Sequence, residues 1–125
     1  MNVKETSQLT GIPADTIRYY EKEGLIPKID RNEVGNREID EKIIRRLTFA
    51  KNMRAAGMSV KALREYIRLV DEDRDNTDKQ KAVLREQMTI MLAKRADIDY
   101  AVDHLQYKLD HYEDHLKKTE EGWRD

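Results

Sequence analysis

Apolar residues recur along the first half of the chain in short stripes broken by glycines, and along the second half in one long stripe. Val3 to Thr10 predicts a short helix, with Gly11 just past its end where a left-handed residue closes the last turn. Ile12-Pro13 predicts a tight turn, and Pro13 suits a helix start because its missing N–H has no partner there in any case. The second helix, about Ala14 to Glu23, turns Ile17 and either Tyr20 or Glu21 inward, places Leu25 just after its end and stops at Gly24. Two short helices around a glycine-containing turn fit a helix-turn-helix, a spacing shared by DNA readers and plain helical hairpins.

Ile29 and Ile39 then flank a polar stretch with Gly35 near its tip, which predicts a β-hairpin with short arms. A hairpin directly after a recognition helix would be a wing. Asp40 is a good N-cap for a third helix, Glu41 to Ala56, with Ile43, Leu47, Ala50 and Arg54 on one stripe and Ile44 and Met53 beside it. Gly57 ends that helix. Ser59 caps a fourth, Val60 to about Val70, whose Leu63, Ile67 and Val70 are expected to face inward. After the charged segment Asp71 to Asn76, Thr77-Asp78-Lys79-Gln80 has the form of a capping box and opens the longest helix.

On that helix the seam runs Leu84, Met88, Met91, Arg95, Ile98, Val102, Leu105, Leu109, Tyr112, Leu116, in alternating steps of four and three. This is a heptad pattern with Met88, Arg95, Val102, Leu109 and Leu116 at a and the remainder at d. A helix of this length cannot bury such a stripe against itself, and the chain contains no second helix to match it. A homodimer is therefore expected. The heptads leave orientation open. An antiparallel pair with residue numbers summing to about 200 uses the whole seam, Met88 facing Tyr112, Arg95 facing Leu105 and Val102 facing Ile98. Arg95 is the charged exception, its head expected to reach Asp99 or a carboxylate of the second chain. The expected organisation is a helix-turn-helix domain over 1–70, a linker over 71–77, a dimerisation helix over 78–118 and a tail over 119–125.

Charge sharpens this picture. The chain has 125 residues and a net charge of −1, but residues 1–70 carry 14 basic and 10 acidic side chains, and residues 71–125 carry 10 basic and 15 acidic. A polyanionic partner would meet the first half. No stretch has the roughly 18 apolar residues of a membrane span, and the first residues lack an apolar signal region, so a soluble cytoplasmic protein is expected. Cysteine is absent, which removes disulfides, thiolate metal sites and thiol switches.

Thr16-Ile17-Arg18-Tyr19-Tyr20-Glu21, Gly24-Leu25-Ile26-Pro27, Arg31, Gly35-Asn36-Arg37 and Met53-Arg54-Ala55-Ala56-Gly57-Met58-Ser59 occur in that order, and together they closely resemble the MerR family of bacterial transcription regulators. The resemblance spans about residues 2–70, and the long helix is similar to the family's dimerisation helix. It implies a mainly α fold: a winged helix-turn-helix with a second, helical wing around residues 57–69, followed by an antiparallel coiled coil. It also implies a dimer on a two-fold promoter site with a long spacer between the −35 and −10 elements, distorting the DNA to realign them for RNA polymerase. Arg18 would read a base edge. Thr16 and Tyr19 or Tyr20 would contact base or phosphate nearby, and Tyr20 serves equally well as core. Arg37, Arg54 and Lys61 would grip the backbone. Asn36 stands where the family has an aromatic and keeps a phosphate contact possible, and Ile39 replaces a second aromatic and should pack inward.

The signal is less legible. Thr119 to Asp125 are too few for a separate sensor domain. The family's metal sensors use cysteines, as does a short subgroup similar to aldehyde- and nitrosative-stress regulators, at the position held here by Asn52. His104, His111 and His115 could chelate a metal with Asp114, but histidines on solvated heptad positions are ordinary, and no metal or other cofactor is expected. Tyr66, Tyr100, Tyr107 and Trp123 could line a cleft for a small organic effector or simply cover the flank of the coiled coil, and the protein could also work without an effector. The competing class is a dimeric coiled-coil adaptor that binds protein in place of DNA, against which the Arg18, Arg37 and Arg54 set speaks. No catalytic constellation can be argued from these residues, so no enzyme is expected.

Overall fold

The computed structural model describes residues 1–124, and among them every regular element is helical: α1 Val3–Thr10, α2 Ala14–Lys22, α3 Glu41–Ala55, α4 Val60–Asp71, α5 Thr77–Asp110, a π-helical turn Tyr112–Leu116, and α6 Lys117–Glu121. The caps follow local chemistry. Asn2 and Glu5 form a capping box on α1, each side chain accepting the other's backbone N–H (2.8 and 3.1 Å). Asp40 accepts from the Ile43 N–H at 2.9 Å, and Ser59 from the Ala62 N–H at 3.0 Å. Gly11 closes α1 at φ 74°, its N–H donating to the Ser7 carbonyl.

The chain divides into two compact units, Met1–Gln87 and the remainder from Met88. In the first, Ile17, Leu25, Leu47 and Leu63 are fully buried, surrounded by Ile12, Tyr20, Ile26, Ile29, Ile39, Ala50, Met58 and Ile67. Each of α1 to α4 thus presents one stripe to a common core, as the spacing predicts.

Four expectations need correction. The wing has no paired strands among the described residues: Arg31 and Arg37 form an isolated antiparallel bridge. Two backbone bonds cross between the arms, Glu38 N–H to the Asp30 carbonyl and Asn32 N–H to the Asn36 carbonyl (both 2.7 Å), and the Asn32 side chain closes the tip, accepting from the N–H groups of Val34 (3.1 Å) and Asn36 (3.0 Å). On α4 the buried residue near the end is Leu69 (3% exposed), which lies outside the common core, and Val70 is 49% exposed. The linker turns back there, with the Asn76 amide donating to the Leu69 carbonyl at 2.9 Å. Thr77 lies inside α5, because the Asn76 carbonyl already accepts from Gln80. The first turn is held by Asp75, which takes both the Thr77 N–H (2.9 Å) and hydroxyl (2.6 Å). Lastly, Leu84 is half-buried against the core of the first unit, so it does not open an exposed seam.

In the second unit, Met88, Ile98, Val102, Leu105 and Leu109 are all more than half exposed. Met91 and Leu116 are half-buried, and Tyr112 is 39% exposed. The regular α geometry stops at Asp110. The His111 carbonyl accepts from His115 (2.9 Å) and from Leu116 (3.4 Å), a widened turn that takes Leu116 out of straight heptad register. No helix among the described residues is long and apolar enough to cross a membrane.

Candidate nucleic-acid interface

Helix α2 splits its residues between core and solvent. Ile17 and Tyr20 point inward; Arg18 and Tyr19 are exposed and Thr16 is half-buried. Arg18 Nη1 rests on Asp15 Oδ1 at 2.9 Å, an exposed i,i+3 pair of little energetic weight that a stronger acceptor can displace. Tyr20 is 7% exposed, so its ring belongs to the core, and Tyr19 offers the accessible aromatic edge.

The wing is fastened to α2 through Glu21. Its carboxylate accepts from the Ile29 N–H at 2.6 Å and from Arg37 Nε at 2.8 Å. Burial on its own would push this carboxyl up. The Ile29 and Arg37 hydrogen bonds and the charges of Arg37 and Arg31 outweigh burial and hold it below the ordinary glutamate value. Arg37 thereby commits Nε to the fold while its two Nη groups stay available for an incoming anion. Arg31 Nη1 donates to the Gly35 carbonyl at 3.0 Å, bracing the loop from the other side.

Arg18, Arg31, Asn36 and Arg37 line one concavity of about 230 Å³, together with Gly35 and with Asn2, Val3 and Lys4 at the start of α1. Recognition helix, wing and α1 therefore converge on one cationic surface. Lys4 is an addition to the residues the sequence singles out, and Arg31, part of the family motif, gains a place at the surface that the sequence did not assign. Lys4 follows from the N-terminus of α1 lying beside the wing exit, where the Ile39 N–H donates to the Met1 carbonyl at 2.7 Å. Arg54 and Lys61 lie outside this concavity. Arg54 Nη1 donates to the Met58 carbonyl, bracing the α3–α4 turn, and Lys61 is exposed in the first turn of α4. Among the described residues no group of three or more histidine, cysteine or carboxylate side chains is placed to hold a metal ion.

Comparison with known proteins fits this geometry. Residues 1–69 match the MerR HTH family regulatory protein profile, and residues 44–107 match the profile described as MerR, DNA binding. The chain is 39% identical over 87 residues to the HTH-type transcriptional regulator AdhR of Bacillus subtilis; the match covers 70% of this chain and 62% of AdhR. A MerR family transcriptional regulator from Listeria monocytogenes superposes with a TM-score of 0.76 at 37% identity, covering 98% of this chain and 93% of that one. HiNmlR, a MerR family regulator lacking the sensor domain and solved bound to promoter DNA, superposes at 0.68 with 28% identity, covering 90% and 89%. By its helix-turn-helix, the cationic surface built on it and these matches, the chain belongs to the MerR family of DNA-binding transcription regulators.

Proposed function

We propose that the protein acts as a homodimer on a two-fold promoter site with a long spacer between the −35 and −10 elements, and that it distorts the DNA so that RNA polymerase can engage both. The observation that carries this reading is the convergence of Arg18, Arg31, Arg37, Asn36 and Lys4 on one concavity. Such a surface suits a duplex, with one arginine reaching a base edge while the others hold phosphates. In this reading Arg18 reads sequence, Thr16 and Tyr19 contact base or phosphate beside it, and Arg37, Asn36, Arg54 and Lys61 grip the backbone. Tyr20 supports α2 from inside. The exposed Met88, Ile98, Val102, Leu105 and Leu109 are the dimer seam, continued by Met91 and Tyr112. The protein works in the cytoplasm, carries no catalytic site, and responds to a small organic effector if to any.

The test is a nuclease footprint of the purified protein on the DNA upstream of its gene. A symmetric footprint between the two promoter elements with a hypersensitive centre is expected, weakening steeply with salt because two subunits each neutralise several phosphates. Absence of protection across a genomic fragment library at low salt would favour the adaptor reading.

A further inference from the structure

An open groove lies between α3 and α4. Lys42, Arg45, Arg46 and Phe49 line it from α3, and Tyr66, Ile67 and Val70 from α4, enclosing about 470 Å³. That volume is in the range of small-molecule sites. Its floor is apolar. Phe49 and Tyr66 stack with ring centroids 5.7 Å apart and planes inclined by 25°, forming one aromatic wall. Phe49 (36%) and Val70 (49%) keep apolar surface open to solvent. The rim carries three cations. Arg46 is bonded to Asp71 across the groove, Nη2 to Oδ1 at 2.5 Å. Arg45 is only loosely placed near Glu41, at 4.0 Å, and no ion pair is formed by Lys42 among the described residues.

An apolar slot with a flat aromatic wall suits a planar ring, and excess positive charge at one edge suits a single anionic group on that ring. We propose that this groove binds a small planar aromatic carboxylate, with the ring against Phe49, Tyr66 and Val70 and the carboxylate held by Lys42 and Arg45. The site lies on the face of α3 and α4 bearing Lys42 and Tyr66, and none of the residues assigned above to DNA contact lines it, so it stands or falls independently of that assignment.

The probe is 1-naphthoate, titrated calorimetrically into the full chain, with the neutral 1-naphthalenemethanol as the matched control. One saturable site per chain is expected, with the alcohol at least about tenfold weaker, a difference of about 1.4 kcal/mol. The double variant Lys42→Ala, Arg45→Ala should bring naphthoate down to the affinity of the alcohol and leave the alcohol's own affinity in place. Phe49→Ala should weaken both compounds by about fivefold or more. The variant positions are exposed, and a thermal melt confirms that each protein is folded. The proposal is overturned by no saturable binding below about 5 mM, by equal affinity for acid and alcohol, or by naphthoate affinity that ignores loss of both cations. A groove already occupied by a second copy of the chain would give the first of these results, together with a changed sedimentation coefficient for Phe49→Ala.

Discussion

Arg37 Nε donates to Glu21 Oε1 at 2.8 Å, and this pair joins the wing to the recognition helix across sixteen residues of chain. Both side chains are largely enclosed, Arg37 at 20% and Glu21 at 14% exposure, so the contact is less screened than a surface pair. Glu21 also takes the Ile29 N–H, which fixes where the wing leaves the core.

Stability should therefore depend on the Glu21 charge. A carboxyl held below its ordinary value contributes stability that is fully present above the unfolded-state pKa, about 4.3, and fades as pH falls through the lower folded-state value. At pH 7, Glu21→Gln should cost about 1–3 kcal/mol. Denaturant melts from pH 7 down to about pH 3 should show the gap between wild type and variant closing below about pH 4.3. A gap that stays constant with pH would mean that the charge of Glu21 does not hold the wing.

Arg18→Ala should separate reading from holding. Arg18 has an exposed Asp15 as its partner, so its loss should leave the unfolding free energy within about 0.5 kcal/mol of wild type. Affinity for the footprinted site should fall by about 1–3 kcal/mol while affinity for unrelated duplex falls much less. Arg37→Ala should instead weaken both, and flatten the salt dependence by about one phosphate contact. Fluorescence anisotropy with the two duplexes at several salt concentrations measures the affinities and the salt dependence, and a urea melt the stability; a uniform loss for Arg18→Ala would assign that residue to the backbone.

The helices were legible because their signals are local. Asp40, Ser59 and Gly11 cap or close helices through neighbours at most four residues away, and the inward residues of each helix, such as Ile17 and Tyr20 on α2 or Leu63 and Ile67 on α4, repeat at helical spacing. What escaped depends on contacts remote in sequence. Val70 and Leu69 differ by one position on α4, and the returning linker with Asn76 decides between them. Leu84 fits a heptad, yet it packs on a core assembled from α1 to α4. Within the candidate interface, Arg18 and Arg37 could be singled out by motif, but Lys4 joins them only because the chain start is pinned beside Ile39. The paired role of Glu21 was equally hidden, since nothing in the string Tyr20-Glu21-Lys22 says that a carboxylate will meet an arginine from the wing.

The end of α4 offers a direct contrast. Leu69 is 3% exposed and Val70 is 49% exposed. Leu69→Ala should cost about 2–4 kcal/mol through lost burial and the cavity left behind, whereas Val70→Ala should stay within about 1 kcal/mol. Urea melts of the two variants check this, and equal losses would restore the phase expected from spacing alone.

The absence of cysteine makes the orientation of the proposed dimer directly measurable, since any disulfide must come from introduced residues. Met91 and Leu109 have numbers summing to 200, so an antiparallel pair places each against the other. The single variants Met91→Cys and Leu109→Cys would then lie far from their own copies: eighteen residues of helix separate the two positions, about 27 Å at 1.5 Å per residue. A disulfide requires Cα atoms within about 7 Å. Mild oxidation of the double variant should therefore give a covalent dimer on a non-reducing gel, while each single variant stays monomeric in mass. A parallel pair reverses this, because every seam position then faces itself and both single variants cross-link. Oxidation that joins neither double nor single variants would mean that the exposed stripe of Ile98, Val102, Leu105 and Leu109 is covered in another way.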